Sequence, residues 1–224
     1  MTEPLAPTCA TLAAVHAGRY DRRLLIAIGA STGGTEAIRD VLMHLPAGLP
    51  PIVITQHMPP GFTRSFADRL NKYSAVHVKE AEHEERLLAG WAYVAPGHAH
   101  LAVRHALFGY SAVLSEDEPV NRHRPSVEVL FLSVAKMAGP AAVSIMLTGM
   151  GKDGARAMLT LRDAGGYNLA QDQATSVVFG MPREAIALGA VHEVVALPQI
   201  AQRILVAVEA RQRALVPSAT PPAA

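Results

Sequence analysis

Hydrophobic and polar positions alternate along the chain in blocks that indicate two kinds of element. Short apolar runs of strand length alternate with stretches in which apolar residues recur three and four positions apart, as on one face of a helix. The predicted strands are residues 24–28, 52–55, 141–147, 167–170 and 191–195. The predicted helices are about residues 35–45, 63–73, 154–164, 182–188 and 197–210. Continuous apolar strands alternating with helices predict a mainly parallel sheet that helices cover on both faces.

The middle of the chain follows another pattern. Residues 75–120 contain short strand-like runs separated by turns, with no helical spacing between them. Such a run of strands predicts an antiparallel excursion at one edge of the sheet. The predicted fold class is therefore α/β: a doubly wound, mainly parallel sheet with helices on both faces and an antiparallel edge excursion at about 75–120.

Composition and the two ends set the expected domain organisation. A chain of 224 residues that is 50% hydrophobic fits one domain with a sizeable core. We expect residues 1–21 to form a flexible arm and residues 211–224, which contain three prolines, to form a disordered tail. Residues 22–210 then form the folded domain.

Charge, cysteine count and hydropathy exclude several classes of protein. The balance of 20 basic against 19 acidic residues argues against nucleic-acid binding, because phosphate neutralisation needs a basic surplus. A single cysteine excludes an internal disulfide framework and a cysteine-built zinc site. No apolar run reaches 18 residues, and the start of the chain lacks the pattern of a secretory signal. We therefore expect a cytoplasmic protein without membrane insertion.

Three residues with catalytic chemistry follow three of the predicted parallel strands. Because ligands of open α/β sheets bind beyond the carboxyl ends of the strands, these positions are candidates for one site. Residues 29–33 read Gly-x-Ser-x-Gly between a strand and a helix, a turn that exposes the Ser31 hydroxyl as a nucleophile. His57 follows the second strand and is suited to act as a general base, and Asp153 follows the strand 141–147 and is suited to orient it.

Each of these residues also has a plainer interpretation. The glycine-rich turn could close a helix onto a strand or hold an anion, His57 could be a structural histidine, and Asp153 could cap the next helix. The order Ser, His, Asp differs from that of a general α/β-hydrolase, in which the acid precedes the histidine. Triads are recognised by geometry, so the combination predicts a serine hydrolase.

Five segments together resemble one known family: residues 28–34 (IGASTGG), 54–66 (ITQHMPPGFTRSF), 119–130 (PVNRHRPSVEVL), 147–154 (LTGMGKDG) and 178–185 (VFGMPREA). Over about residues 24–205, the chain resembles the catalytic domain of the chemoreceptor methylesterase, CheB. The resemblance implies hydrolysis of glutamate γ-methyl esters on the cytoplasmic helices of chemoreceptors, with release of methanol, and deamidation of receptor glutamines. It carries the three triad roles over to Ser31, His57 and Asp153, and it implies no cofactor and no metal.

Further site residues are predicted around the triad. We expect backbone N–H groups after Ser31, at Thr32 and Gly33, to hold the oxyanion, with a donor near Met150 as a weaker candidate. Arg122 and Arg124 are candidates for contact with an acidic receptor helix, or they lie at the solvated start of a helix. His98 and His100 form too small a set for a metal site, because no carboxylate or cysteine complements them.

The chain departs from the family layout at its beginning. A typical member carries a phosphorylatable receiver domain before the catalytic part, whereas only 23 residues precede the first predicted strand here. We expect either a stand-alone enzyme, with a separate receiver or regulator as a candidate partner, or an excised catalytic domain. Two other functions remain open: a serine hydrolase of the same fold with a different ester or amide substrate, and a non-catalytic module that holds an anion at residues 29–34.

Overall fold

The computed structural model describes residues 20–216, in which parallel strands alternate with helices. The strands are β1 (Leu25–Ala30), β2 (Ile52–Gln56), β3 (His77–Glu80), β4 (Trp91–Val94), β5 (His100–His105), β6 (Tyr110–Ser115), β7 (Ala142–Met146), β8 (Tyr167–Gln171) and β9 (Glu193–Val195). The helices are α1 (Gly34–Met43), α2 (Thr63–Tyr73), α3 (Val127–Met137), α4 (Ala155–Asp163), α5 (Met181–Ala187) and α6 (Leu197–Leu215), with a 3₁₀ turn at Gly139–Ala141.

Seven strands form one parallel sheet in the order β3-β4-β2-β1-β7-β8-β9. The central strands β1, β2 and β7 are buried along their whole length, as the continuous apolar runs predicted. One face packs on α1, α2 and α6 through residues such as Ile38, Leu70 and Ile204. The other face packs on α3, α4 and α5, with Phe131 and Met158 in its core. The predicted doubly wound α/β class is confirmed.

The antiparallel excursion is smaller than predicted. Strands β3 and β4 belong to the parallel sheet, where His77 pairs with Trp91 and Ile52 with Ala92. Only β5 and β6 are antiparallel, and they form a separate two-stranded sheet beside α3. Runs of four residues carry too little periodicity to show the direction of pairing, so the sequence pattern alone could not separate these two pairs.

Both predicted chain ends differ from the structure where it describes them. Helix α6 continues past Arg211 to Leu215, so the predicted tail begins inside a helix. Tyr20 Oη donates to Glu209 Oε1 at 3.0 Å, which ties the last residues of the predicted arm to that helix. Residues 1–19 and 217–224 lie outside the described part.

Helix α3 lies between the predicted excursion and the predicted strand 141–147, where the helical spacing predicts no element. Its sequence VEVLFLSVAKM is apolar on most sides, which weakens the periodic signal of an amphipathic helix. Across residues 20–216, none of the helices combines the length and hydropathy that a bilayer crossing requires.

Candidate active site

The turn after β1 holds Ser31 between two neighbouring strands. Ser31 N–H donates to Thr148 O at 3.0 Å on the β7 side, and Gln56 Nε2 donates to Ser31 O at 2.9 Å on the β2 side. The next backbone bond, from His57 N–H to Ala30 O at 3.1 Å, continues the parallel register beyond the strands. Ser31 and His57 therefore follow adjacent strand ends at the same level of the sheet.

Small residues make the sharp turn at Ser31 possible. Gly33 has φ of 80° and is the N-cap of α1. A Cβ atom at Gly33 would lie 2.6 Å from Val177 Cβ, and one at Gly34 would lie 2.6 Å from Ala30 Cβ. The turn therefore accommodates glycine alone at Gly33, and the half-buried Ser31 side chain is presented at the start of the helix.

The His57 ring is bonded to Asp153 through one nitrogen. His57 Nε2 and Asp153 Oδ2 are 2.8 Å apart, and the two side chains are 8% and 1% exposed. An ionised carboxylate only accepts hydrogen bonds, so Nε2 carries the proton and Nδ1 is the basic nitrogen. His57 Nδ1 is buried and has no hydrogen-bond partner among the described residues, Ser31 Oγ included. A general base needs a ring nitrogen that is free to accept a proton, and Nδ1 meets that requirement.

Asp153 is the most heavily bonded carboxylate of the site. Its oxygens accept from Asn121 Nδ2 at 2.8 Å, Ser126 Oγ at 2.8 Å and the Val127 N–H at 2.7 Å, besides the His57 ring. Burial alone would raise the pKa of Asp153, but the hydrogen bonds from His57, Asn121 and Ser126 outweigh burial and leave that pKa below its usual value. Asp153 is therefore ionised at neutral pH.

Asp153 also caps a helix, although not the one that the sequence pattern suggested. The Val127 and Glu128 N–H groups that bond to it belong to the first turn of α3, whose N-cap is Ser126. The helix that follows Asp153 in the chain, α4, has Gly154 as its N-cap. The N-terminus of α3 thus stabilises the negative charge that faces the His57 ring.

A second histidine covers the base. The His123 ring stacks on the His57 ring with centroids 3.7 Å apart and planes 9° from parallel. Burial, followed by repulsion from His57, holds the pKa of His123 below its usual value. Strand-end positions do not identify His123 and Asn121 as site residues, because neither follows one of the predicted parallel strands. Their signal in the sequence is the segment 119–130, one of the five segments that resemble the family.

The residues predicted around the triad divide into two groups. A cleft of about 630 Å³ is lined by Ser31, Thr32, Asn121, Arg122, His123, Met150, Gly151, Lys152 and Asp153. Gly33 and Arg124 are not among the lining residues, and Arg124 Nη1 instead donates to the carbonyl oxygens of Glu116 and Asp117. Of the two predicted substrate contacts, only Arg122 faces the cleft.

His98 and His100, in the turn at residues 97–100, differ in their surroundings. His100 Nδ1 accepts from Ser126 N–H at 3.1 Å, and its Nε2 lies 3.2 Å from Glu118 O, so the ring supports the start of α3. His98 is exposed. Within residues 20–216, no three His, Cys, Asp or Glu side chains are grouped as metal ligands.

Comparisons with known proteins identify the family to which the chain belongs. The model of the CheB methylesterase family matches residues 26–204. The protein-glutamate methylesterase/protein-glutamine glutaminase of Nitrosomonas europaea is 60% identical over 190 residues, which cover 85% of this chain and 53% of that protein. Its counterpart from Paraburkholderia xenovorans is 60% identical over 181 residues, covering 81% and 50%. The chain thus spans about half the length of the curated relatives it matches.

A solved structure supports the same assignment. The catalytic domain of the Thermotoga maritima CheB methylesterase is 36% identical, with a TM-score of 0.79 over 81% of this chain and 97% of that one. The residues matched by the family model include Ser31, His57 and Asp153. The chain belongs to the CheB methylesterase family.

Proposed function

We propose that the chain is a serine hydrolase that removes methyl groups from glutamate γ-methyl esters, releasing methanol, and that also deamidates glutamine side chains. The observation that carries this proposal is the His57 ring, which is bonded through Nε2 to a buried carboxylate and has no partner for its buried Nδ1 among the described residues, at the strand end adjacent to that of Ser31. Family membership supports the same chemistry, since the relatives are named as methylesterases and glutaminases.

The first half of the proposed reaction is acylation of the serine. His57 Nδ1 accepts the Ser31 hydroxyl proton as Oγ bonds to the ester carbonyl carbon, and the carbonyl oxygen becomes an oxyanion. Asp153 stabilises the imidazolium and keeps the proton on Nε2, because the N-terminus of α3 and its other donors hold the carboxylate in place. The imidazolium then gives its proton to the leaving methoxy oxygen, the C–O bond breaks, and methanol departs.

Deacylation repeats these steps with water. His57 Nδ1 takes a proton from water as the water oxygen bonds to the glutamyl carbonyl carbon, and the proton passes to Ser31 Oγ as the acyl–enzyme bond breaks. The products are a free glutamate carboxylic acid, which then ionises, and the restored serine. A glutamine substrate follows the same course, with ammonia leaving in place of methanol.

Backbone N–H groups at the cleft are available for the oxyanion. No hydrogen bond to another described residue takes up the N–H of Thr32 or of Met150, and both residues line the cleft with Ser31. Thr32 lies directly before the α1 N-terminus, where the helix dipole favours negative charge. We therefore propose Thr32 and Met150 as the oxyanion donors and leave Gly33 with its role in the turn.

The substrate and the domain boundaries belong to the same proposal. We assign the folded part of the chain, which includes Tyr20 and α6 as far as Leu215, as the catalytic domain, acting in the cytoplasm without a metal or cofactor on the methylated helices of chemoreceptors. Arg122 on the cleft rim would contact acidic side chains of such a helix, because its charge faces the cleft. Arg124 has no part in this contact, since its guanidinium is held by backbone carbonyls.

The test is methanol release from methylated chemoreceptor membranes. We expect Ser31→Ala and His57→Ala to lower the rate by at least about a thousandfold, because residues that act as a triad lose most of their effect together. Ser65→Ala, an exposed serine that bonds its own helix turn, is the matched control and should retain wild-type activity. Release that survives in Ser31→Ala contradicts the nucleophile, and no release by folded wild type contradicts the receptor substrate.

A further inference from the structure

The stacked pair of imidazoles is the feature of the cleft that the proposed proton path leaves unused. His123 lies face to face with His57, at 3.7 Å between ring centroids, and lines the cleft beside Ser31. The proton path runs from the Ser31 hydroxyl to His57 Nδ1 and on to the leaving oxygen, and it makes no use of His123. The His123 ring instead contacts the face of the His57 ring.

The backbone before His123 is held in an unusual conformation. Only three non-glycine residues of the described part have positive φ, and two of them, Asn121 at 52° and Arg122 at 69°, directly precede His123. Two bonds between Val120 and His123, at 3.1 and 2.9 Å, close this turn. Left-handed backbone at such residues costs free energy and persists where the surroundings impose it, often at functional sites.

The same turn serves the carboxylate and the base together. Asn121 donates its side-chain amide to Asp153 Oδ1 at 2.8 Å, while His123, two residues later, covers the ring that Asp153 Oδ2 accepts from. The strained turn thus contacts both members of the acid–base pair. Neither the Asn121–Asp153 bond nor the His123–His57 stacking is required simply to connect β6 to α3.

We propose that His123 is a positioning residue for the base: its ring holds the His57 imidazole in the plane between Asp153 and Ser31 and stabilises the imidazolium formed during the reaction. This inference rests on the proposed function, in which His57 takes the serine proton. A neutral aromatic face attracts a cation stacked on it, and more strongly where water is excluded. With a side chain that is 8% exposed, His57 is largely shielded from water.

The charges around the two rings favour a neutral His123 at neutral pH. Burial is the larger cause that lowers the pKa of His123, and repulsion from His57 is the next. Asp153 is the carboxylate that faces both rings, Glu128 of α3 faces Asp153, and the cations Arg122 and Lys152 stand on the cleft rim. When His123 does take a proton, two positive rings oppose each other and the imidazolium loses its support.

The experiment compares two replacements of His123 in methanol release from a glutamate γ-methyl ester peptide. His123→Phe keeps an aromatic face and should retain kcat within about threefold, whereas His123→Ala should lose about 3- to 30-fold in kcat, the range of a cation on an aromatic face, with little change in KM. His105→Ala removes another stacked histidine, which packs on Tyr110 away from the cleft, and should match wild type. Wild-type kcat in His123→Ala, or an equal loss in His123→Phe, overturns the proposal.

The pH profile separates positioning from mere stability. We expect the acid side of the wild-type profile to fall more steeply than that of His123→Phe, because His123 takes a proton in acid and then no longer supports the imidazolium, whereas phenylalanine takes none. Identical slopes overturn the role of the second imidazole. If His123→Ala fails to fold, His123→Asn, which also lacks an aromatic face, replaces it.

A measurement without substrate distinguishes this proposal from the proposed function. In nitrogen-15-labelled protein, the proton on His57 Nε2 should give a sharp downfield resonance in wild type and His123→Phe, and one broadened by solvent exchange in His123→Ala. This pattern in a wild type that releases no methanol would refute the substrate and support the positioning role. Equal sharpness in all three proteins would refute the positioning role, whatever the activity.

Discussion

At the scale of single residues, the site depends on a difference in hydrogen bonding between Asp153 and His57. Asp153 accepts from the His57 ring, two side chains and the first turn of α3, so it is ionised although its side chain is almost fully buried. His57 is the opposite case, since one of its ring nitrogens is paired and the other is buried and free. The carboxylate therefore holds the ring through Nε2 and leaves Nδ1 as the nitrogen that faces the reaction.

The depressed pKa of Asp153 predicts how stability changes in acid. Burial opposes the shift, but the bonds from His57, Asn121 and Ser126 hold the folded pKa below the unfolded value of 3.8. The stabilisation is therefore complete above pH 3.8 and is lost as pH falls through the lower folded pKa. We expect Asp153→Asn to flatten the loss of urea stability in this acid range, while exposed Asp68→Asn leaves it as in wild type.

The same substitution also bears on catalysis. An amide at position 153 can donate to the ring and so favour the wrong tautomer, and in a Ser-His-Asp triad such a change lowers kcat by about 10⁴-fold. Methanol release by purified Asp153→Asn, set against its urea midpoint at neutral pH, measures this loss separately from folding. Near wild-type kcat in a folded variant would contradict the orienting role of the carboxylate.

At the scale of elements, the strand-to-helix turn after β1 determines where Ser31 points. Hydrogen bonds to Thr148 and Gln56 hold the turn on both sides. Gly33, the N-cap of α1, has a left-handed conformation. Val177, from the loop between β8 and α5, packs against Gly33 and leaves no room for a Cβ atom. The nucleophile's position thus depends on three loops at once.

Two glycines with nearly equal φ allow this dependence to be measured. Gly33 and Gly61 have φ of 80° and 86°, but a Cβ at Gly61 would meet nothing within 4 Å. Gly61→Ala should cost about 1 to 2 kcal/mol of unfolding free energy, the penalty of left-handed backbone alone. Gly33→Ala should cost more and also lower kcat, because the clash displaces the Ser31 turn. Equal denaturation midpoints for the two variants would contradict this account.

At the scale of the whole molecule, the two-stranded sheet β5-β6 is attached to the parallel sheet through buried side chains. Tyr110 Oη donates to Arg23 O at 2.7 Å, just before β1, and its ring belongs to the core that α3 covers. On the other side of the hairpin, Val103 N–H donates to Ser133 Oγ in α3 at 3.0 Å. The hairpin thus braces the helix whose N-terminus holds Asp153.

Burial of Tyr110 predicts a loss of stability in alkali. Desolvation raises the pKa of Tyr110 to about 12. Since the folded pKa is above the unfolded value of 10.0, the stabilisation is complete below pH 10.0 and is lost as pH rises through about 12. Tyr110→Phe should lower the unfolding free energy by about 1 kcal/mol near neutral pH, through the lost hydrogen bond, and should weaken the alkaline decline.

Exposed Tyr73 provides the control for that prediction. Its side chain is 59% exposed, so Tyr73→Phe should match wild type in both the neutral and the alkaline range. Urea midpoints from pH 8 to 11 compare the three proteins. An alkaline decline that is as steep in Tyr110→Phe as in wild type would assign the effect to other groups.

The sequence by itself determined the α/β class, the parallel central strands and the location of Ser31, His57 and Asp153 at strand ends. Apolar periodicity and glycine-rich turns are local signals, and β1, β2 and β7 are long and buried enough to display them. The sequence could not show that β3 and β4 join the parallel sheet, or that α6 continues to Leu215. The pairing of short strands and the last residue of a helix depend on contacts with neighbouring elements.

Only the tertiary structure decided which residues meet at the cleft. His123 and Asn121 lie about thirty residues from Asp153 in the chain, and the turn that joins them to the His57–Asp153 pair has no periodic pattern. Arg122 and Arg124 are alike in sequence, yet one lines the cleft and the other is held by carbonyls. Side-chain contacts between distant segments follow from packing, because chain spacing alone does not specify the direction in which a loop residue points.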